Sequence, residues 1–200
     1  MMVSSGFCHV KKNYGSFGMI NNKTVLAVIP ARGGSKRCPR KNIKEFRGKP
    51  LIQWAHESAV NSKYIDHLIV STEDHEIMQV ALRLDYDVVI RPKKFATDDA
   101  TNEDVLRHVL SYCHHDIIVL LQPTSPLRTV EDIDWCVKEV ETFDKPCISY
   151  NKEDHKKNGA VFCCTSEWLN KGNDFNMFYC LPHYMPIDRG LDIDYPEQFE

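Results

Sequence analysis

The sequence predicts a three-layer α/β fold built on a mostly parallel sheet. Two observations carry this prediction. Continuous apolar runs too short for helices, such as residues 25–30 and 116–121, read as strands buried on both faces. Between them lie stretches of roughly 10–15 residues with apolar positions at helical spacing, so strands and helices alternate.

In chain order, residues 25–30 form the first strand. Residues 50–60 form a helix with Ile52, Ala55, Ala59 and Val60 on one face and Pro50 suited to its first turn. Residues 67–72 are a strand, 74–84 a helix and 87–92 a short strand. Residues 101–112 form a helix that opens with Thr101 three residues before Asp104, a capping box, and carries Val105, Val109 and Tyr112 along one stripe. After the strand at 116–121, residues 129–143 form a helix with Ile133, Cys136, Val137 and Val140 inward. Residues 147–150 and 159–164 read as strands around a charged stretch, and no internal repeat or low-complexity segment appears.

The chain has 200 residues, 42% of them hydrophobic, enough for one domain with a sizeable core. We expect residues 1–22, rich in Ser, Gly, Asn and Lys, to be a loosely ordered N-terminal extension and residues 23–200 to be a single domain. A net charge of -3 argues against a nucleic-acid-binding surface over the whole molecule. No signal-peptide core or membrane-span run is present, so the reading is of a soluble cytoplasmic protein with no membrane partner. The eight cysteines lack CxxC spacing and read as buried free thiols, and the nine histidines lack the spacing of zinc ligands.

Chemistry concentrates in two loops. The first strand empties into Ala31-Arg32-Gly33-Gly34-Ser35-Lys36-Arg37-Cys38-Pro39-Arg40-Lys41-Asn42. Glycines among cations suit a polyanion, because backbone N–H groups can approach phosphate oxygens closely. The run matches neither G-x-x-x-x-G-K-[ST] nor G-x-G-x-x-G. A solvated basic loop is the plain alternative, but ligands of open α/β sheets bind outside the carboxyl ends of strands, where this loop begins. Arg32, Ser35, Lys36 and Lys41 supply charge and donors for such a ligand.

The strand at 116–121 empties into Gln122-Pro123-Thr124-Ser125-Pro126-Leu127-Arg128-Thr129. Two prolines stiffen this loop while Gln122, Thr124, Ser125 and Arg128 offer polar groups for a hydroxyl-rich ligand. It reads equally as a rigid turn with Thr129 as helix cap. Near the end of the chain, Asp192 and Asp194 would share one face of an extended segment with Ile193 pointing away, which suits either a cation site or an exposed strand edge. Asp98 and Asp99 read as acids at a helix start.

Together these blocks, with Ile69-Val70-Ser71-Thr72 and Arg91-Pro92, resemble the acylneuraminate cytidylyltransferase family, the CMP-sialic acid synthetases and their relatives for legionaminic and pseudaminic acid. The resemblance runs from about Val25 onward and implies a Rossmann-like nucleotidyltransferase fold. It implies that CTP activates a nine-carbon, N-acylneuraminate-like keto sugar for surface polysaccharide synthesis, giving a CMP-sugar and pyrophosphate. It places Lys41 nearest the α-phosphate, with Arg32 and Lys36 as the other catalytic cations. Ala31, Arg32, Gly33, Gly34, Ser35, Lys36, Asn42 and Arg91 would bind nucleotide, and Gln122, Thr124, Ser125, Thr101, Asn102 and Lys157 the sugar. Asp192 and Asp194 would hold Mg2+.

Lys157-Asn158-Gly159-Ala160 resembles the family segment that leads a basic residue toward the sugar carboxylate, often across a subunit boundary. A lysine there lacks the bidentate fork of the arginine common in the family. The excursion near 150–158 is shorter than the family's dimerisation insert, so the expectation is a homodimer weakened or lost. The chain also stops at Tyr195-Pro196-Glu197-Gln198-Phe199-Glu200, where relatives continue into a final helix. Residues 122–128 look sialic or legionaminic and residues 37–42 look pseudaminic. An enzyme for another sugar acid, including the eight-carbon KDO, and a nucleotide-binding remnant without catalysis are the alternatives.

Overall fold

A computed structural model describes residues 20–176 and 179–199. Its strands are β1 (Val25–Pro30), β2 (Glu45–Phe46), β3 (Lys49–Pro50), β4 (His67–Thr72), β5 (Asp87–Ile90), β6 (Ile117–Leu120), β7 (Cys147–Asn151), β8 (Lys157–Thr165) and β9 (Leu181–Met185). Its helices are α1 (Leu51–Val60), α2 (His75–Arg83), α3 (Asn102–Leu110), α4 (Val130–Phe143) and α5 (Ser166–Asn170). Each predicted element is present with ends within two residues of expectation.

Seven strands form one sheet in the order β5-β4-β1-β6-β8-β7-β9, and only β8 runs against its neighbours. From β1 the chain winds outward through β4 and β5, then crosses to β6 on the other side of β1. The reversal opens a crevice between the carboxyl ends of β1 and β6, where open α/β sheets bind ligands.

The two sheet faces bury alternate residues of β1. Ala27 and Ile29 pack with Ile52 and Ala55 of α1, Ile77 of α2 and Ile133, Val137 and Val140 of α4. Leu26 and Val28 pack with Val105, Leu106 and Val109 of α3 and with Leu169 of α5. Full burial of each such Leu or Ile contributes about 1.5–3 kcal/mol, so the crevice rests on rigid strands.

Details depart from the sequence reading. Pro50 stands at the N-cap of α1, just before its first turn, and Val60 is half-exposed. Tyr112 lies beyond Ser111, the C-cap of α3, and is 37% exposed. Residues 191–194 form no strand. The 150–158 excursion is a hairpin connection in which Asn151 N–H donates to Lys156 O at 2.8 Å and His155 takes a left-handed φ of 55°.

Strand β9 was not predicted. It carries Pro182, and proline is confined to edge strands, which is where β9 lies. The predicted N-terminal extension lies outside the described residues except for residues 20–22. Cys38, Cys113, Cys136, Cys147, Cys163, Cys164 and Cys180 are free thiols, all but Cys113 and Cys180 buried. Among the described residues no helix is long and apolar enough to cross a membrane.

Candidate functional site

A cavity of about 570 Å³ opens at the β1/β6 crevice. Four stretches wall it: Arg32, Ser35, Lys36, Arg37, Lys41 and Asn42 from the loop after β1; Arg91 and the segment from Phe95 to Asn102; Gln122 and Thr124 from the loop after β6; and Asp192 with Asp194.

The glycine pair works differently from the expected amide cradle. Gly33 N–H donates to Glu73 Oε1 at 2.8 Å, and Ser35 N–H donates to Gly33 O at 2.9 Å. A Cβ on Gly33 would stand 2.2 Å from Asp74 Oδ2, so this glycine permits close packing against the residue that caps α2. Gly34 faces open space. Ala31 is fully buried, and its N–H extends the ladder to Ser71 O at 2.9 Å. The side chains of Arg32, Ser35, Lys36 and Lys41, by contrast, line the cavity.

Those cations are paired with acids across the cavity. Arg32 Nη2 lies 2.9 Å from Asp98 Oδ1, Lys36 Nζ lies 2.5 Å from Asp98 Oδ2, and Arg32 Nη1 donates to Thr97 O at 2.8 Å. The Lys36 hydrogen bond and charge, aided by Arg32, hold the Asp98 carboxyl below its ordinary range. Asp98 is thus no helix-start acid: α3 begins at Asn102 with Thr101 as its cap and Asp104 completing the capping box.

Lys41 follows Arg40, whose left-handed φ of 61° turns the chain into a single 3-10 turn, Lys41–Ile43. Its Nζ lies 2.5 Å from Asp194 Oδ1, and Arg37 Nη1 lies 2.6 Å from Asp194 Oδ2. Burial raises the Asp194 carboxyl, but Lys41 and Arg37 outweigh it and hold the group below its ordinary range. Asp192 goes the other way. Although Asp192 is exposed, desolvation by the surrounding protein and the charge of Asp194 raise its carboxyl against a hydrogen bond from Thr124. Between them Ile193 is fully buried with Phe46 and Leu51, and its N–H donates to Thr124 O at 2.7 Å. The two aspartates therefore share one face, as predicted, although no strand forms.

Asn42 is buried and donates to Arg32 O at 2.9 Å. Arg91 is buried beside Glu73 at 3.3 Å, where desolvation lowers its pKa and Glu73 opposes the shift. In the loop after β6, Gln122 and Thr124 face the cavity, whereas Ser125 donates to Asn158 O at 3.4 Å and Arg128 donates to Ala160 O at 2.8 Å and to Gln122 O. Arg128 pins this loop to β8. Thr129 caps α4 with its N–H on Asp132 Oδ2 at 2.8 Å.

Lys157 does not join the site. Its Nζ donates to Phe175 O at 2.8 Å, because alternation along β8 turns Lys157 to one face and Asn158, bonded to Ser149 and Asn151, to the other. The sequence reading also missed Glu73 and Arg37, which pair with site residues; an acid directly after β4 was the available signal, since β4 adjoins β1. Among the described residues no cluster of three or more His, Cys, Asp or Glu could hold a metal ion. Asp192 and Asp194 form a pair of hard oxygen donors whose mutual repulsion a divalent cation would relieve, with phosphate and water completing its shell.

Residues 26–162 match the family model described as Cytidylyltransferase. An N-acylneuraminate cytidylyltransferase of Escherichia coli is 29% identical over 211 residues, covering 88% of this chain and 50% of that protein. A pseudaminic acid cytidylyltransferase of Campylobacter jejuni is 40% identical over 108 residues, covering 51% of this chain and 47% of that protein. A CMP-N,N'-diacetyllegionaminic acid synthase of Legionella pneumophila is 37% identical over 134 residues, covering 62% and 56%. The chain spans about half the length of the curated relatives it matches. In fold it is similar to a CMP:2-keto-3-deoxy-manno-octonic acid synthetase solved with CTP, at TM-score 0.69 and 15% identity over 87% of this chain and 94% of that one. It is also similar to a cytidylyltransferase of Leptospira borgpetersenii, at TM-score 0.67 and 19% identity over 89% and 84%.

Proposed function

The chain belongs to the cytidylyltransferase family, and on that premise we propose that it transfers the cytidylyl group of CTP to an acidic keto sugar of the nine-carbon class. The observation that carries this reading is the convergence of Lys41, Arg32 and Lys36 with Asp192 and Asp194 on one cavity at the β1/β6 crevice. Cations gathered without the acid pair would suit simple anion binding. Together they suit a reaction in which negative charge moves from the α-phosphate to a leaving pyrophosphate.

The anomeric hydroxyl of the sugar attacks the α-phosphorus and gives up its proton to solvent, a new P–O bond forms, and the bond to the bridging oxygen breaks with its electron pair leaving on pyrophosphate. Lys41 stands for the α-phosphate. Arg32 and Lys36, released from Asp98, receive the outer phosphates. Asn42 and Arg91 lie where the nucleoside would sit, while Gln122, Thr124, Thr101 and Asn102 orient the sugar. Asp192 and Asp194 would hold Mg2+, which when bound neutralises phosphate charge and favours departure of pyrophosphate. Lys157, turned to the far face, has no part in this reading.

Within the class, the matches to a pseudaminic and a legionaminic acid enzyme favour a sialic acid analogue as strongly as N-acetylneuraminate. The deciding experiment measures pyrophosphate release from CTP and Mg2+ against N-acetylneuraminate, legionaminate, pseudaminate and KDO, with product mass. Release with one sugar establishes the reaction and its substrate. Silence across the panel with CTP still bound leaves a nucleotide-binding protein without this activity.

A further inference from the structure

Glu73 is the first residue after β4, and β4 lies between β1 and β5 in the sheet. The three strands run parallel, so the chain segments leaving their carboxyl ends stand side by side. The backbone continues this alignment past the strands: Ala31 N–H donates to Ser71 O and Arg91 N–H to Thr72 O, both at 2.9 Å. The side chain of Glu73 reaches both ways. Its Oε1 accepts Gly33 N–H at 2.8 Å, and its Oε2 accepts Arg91 Nη2 at 3.3 Å and Nε at 3.4 Å.

Both partners belong to the cavity wall or to the loop that forms it. Arg91 is 4% exposed, and a buried guanidinium without a counter-charge is costly, so the carboxylate is what lets a cation stay at this depth. Glu73 grips one edge of the guanidinium and so sets its plane. The same carboxylate fixes the loop backbone at Gly33, one residue from Arg32 and three from Lys36.

Resting on the cytidylyltransferase reading, we propose that Glu73 is a positioning residue for the nucleotide, one carboxylate that aligns the phosphate-binding loop with the guanidinium of Arg91. Two variants separate position from charge. Glu73→Gln keeps an acceptor for Gly33 but loses the charge facing Arg91. Glu73→Asp keeps the charge but shortens the reach by one methylene, so it cannot span both partners.

Sign is the discriminating feature. If Glu73 were only a fold-stabilising anion near a cation-lined cavity, removing its charge would leave CTP binding unchanged or tighten it. Positioning demands the opposite. Calorimetric titration of the folded 200-residue protein with CTP, checked by thermal unfolding, should show Kd raised about tenfold in both variants, with kcat at saturating CTP within about twofold of the parent. Equal or tighter CTP binding by either folded variant, or a loss confined to kcat, overturns the proposal. Should Glu73→Gln fail to fold, Glu73→Asp alone carries the test. A parent protein that binds no CTP overturns the cytidylyltransferase reading itself, a result distinct from any change between variants.

Discussion

Lys41 Nζ lies 2.5 Å from Asp194 Oδ1, joining the loop after β1 to a segment more than a hundred and fifty residues later. The contact brings the cation expected at the α-phosphate against one of the acids expected at the metal. Each neutralises the other, and Arg37 at 2.6 Å completes the cluster.

Substituting either residue should therefore impair chemistry more than folding. Lys41→Ala is expected to lower kcat about 100- to 1000-fold, the usual cost of losing one transition-state charge contact, with CTP still bound. Asp194→Asn should abolish turnover while thermal unfolding stays close to the parent, since Asp194 is part-exposed and its Ile193 neighbour holds the segment. Steady-state kinetics beside calorimetric CTP titration checks both, and normal turnover in either variant would remove that residue from the mechanism.

Asp98 occupies the place of an anion between Arg32 and Lys36. A triphosphate must displace it to reach the same groups. Asp98→Asn is thus expected to tighten CTP binding a few-fold, and the gain should shrink as salt rises because both cations are solvent-accessible. Titrations at low and high ionic strength measure this. Weaker binding by Asp98→Asn would show that Asp98 assists the nucleotide instead of competing with it.

Asp192 predicts a trade between stability and function. Its carboxyl is raised by enclosure and by Asp194, so the folded protein disfavours the charged form. For an acid raised on folding, that cost is complete above the folded pKa and relieved as pH falls through it. Because Asp192 is exposed and solvent screens this cost, Asp192→Asn should raise the Tm at neutral pH by no more than about 1 °C, with the difference from the parent narrowing as pH falls into the acid range. Mg2+ with CTP should stabilise the parent and not the variant. Thermal scans across pH, with and without the two ligands, test each part.

Much of this was legible because β1, β4 and β6 are continuous apolar runs and α4 shows a clean inward stripe at Ile133, Cys136, Val137 and Val140. The loops after β1 and β6 follow from strand order alone. Lys157 stands outside this chain's own cavity for a physical reason: the pairing of β7 with β8 shifts register by three residues between Ile148 and Tyr150, and an odd shift exchanges the faces of a strand. Asp98 and Glu73 were hidden differently. Their roles lie in pairs made 40 and more residues away, at Gly33 and Arg32, which local pattern does not encode.

Gly159 offers a test of the sugar side with a built-in control. It has φ +74°, and a Cβ there would lie 2.3 Å from Gln122 Oε1, so this residue can be nothing larger while Gln122 keeps its place at the cavity. Gly172 has φ +84° with nothing within 4 Å of a Cβ. Replacing either by alanine forces a left-handed conformation at a cost of about 1–2 kcal/mol, so both variants should lose similar stability. Only Gly159→Ala must also push Gln122 aside. We expect it to raise KM for the sugar about tenfold or more while CTP affinity holds, because the cation loop lies on the other wall of the cavity. Gly172→Ala should match the parent in both constants. Equal sugar KM in the two variants would mean that Gln122 does not contact the sugar, and the orienting role would then pass to Thr124, Thr101 and Asn102.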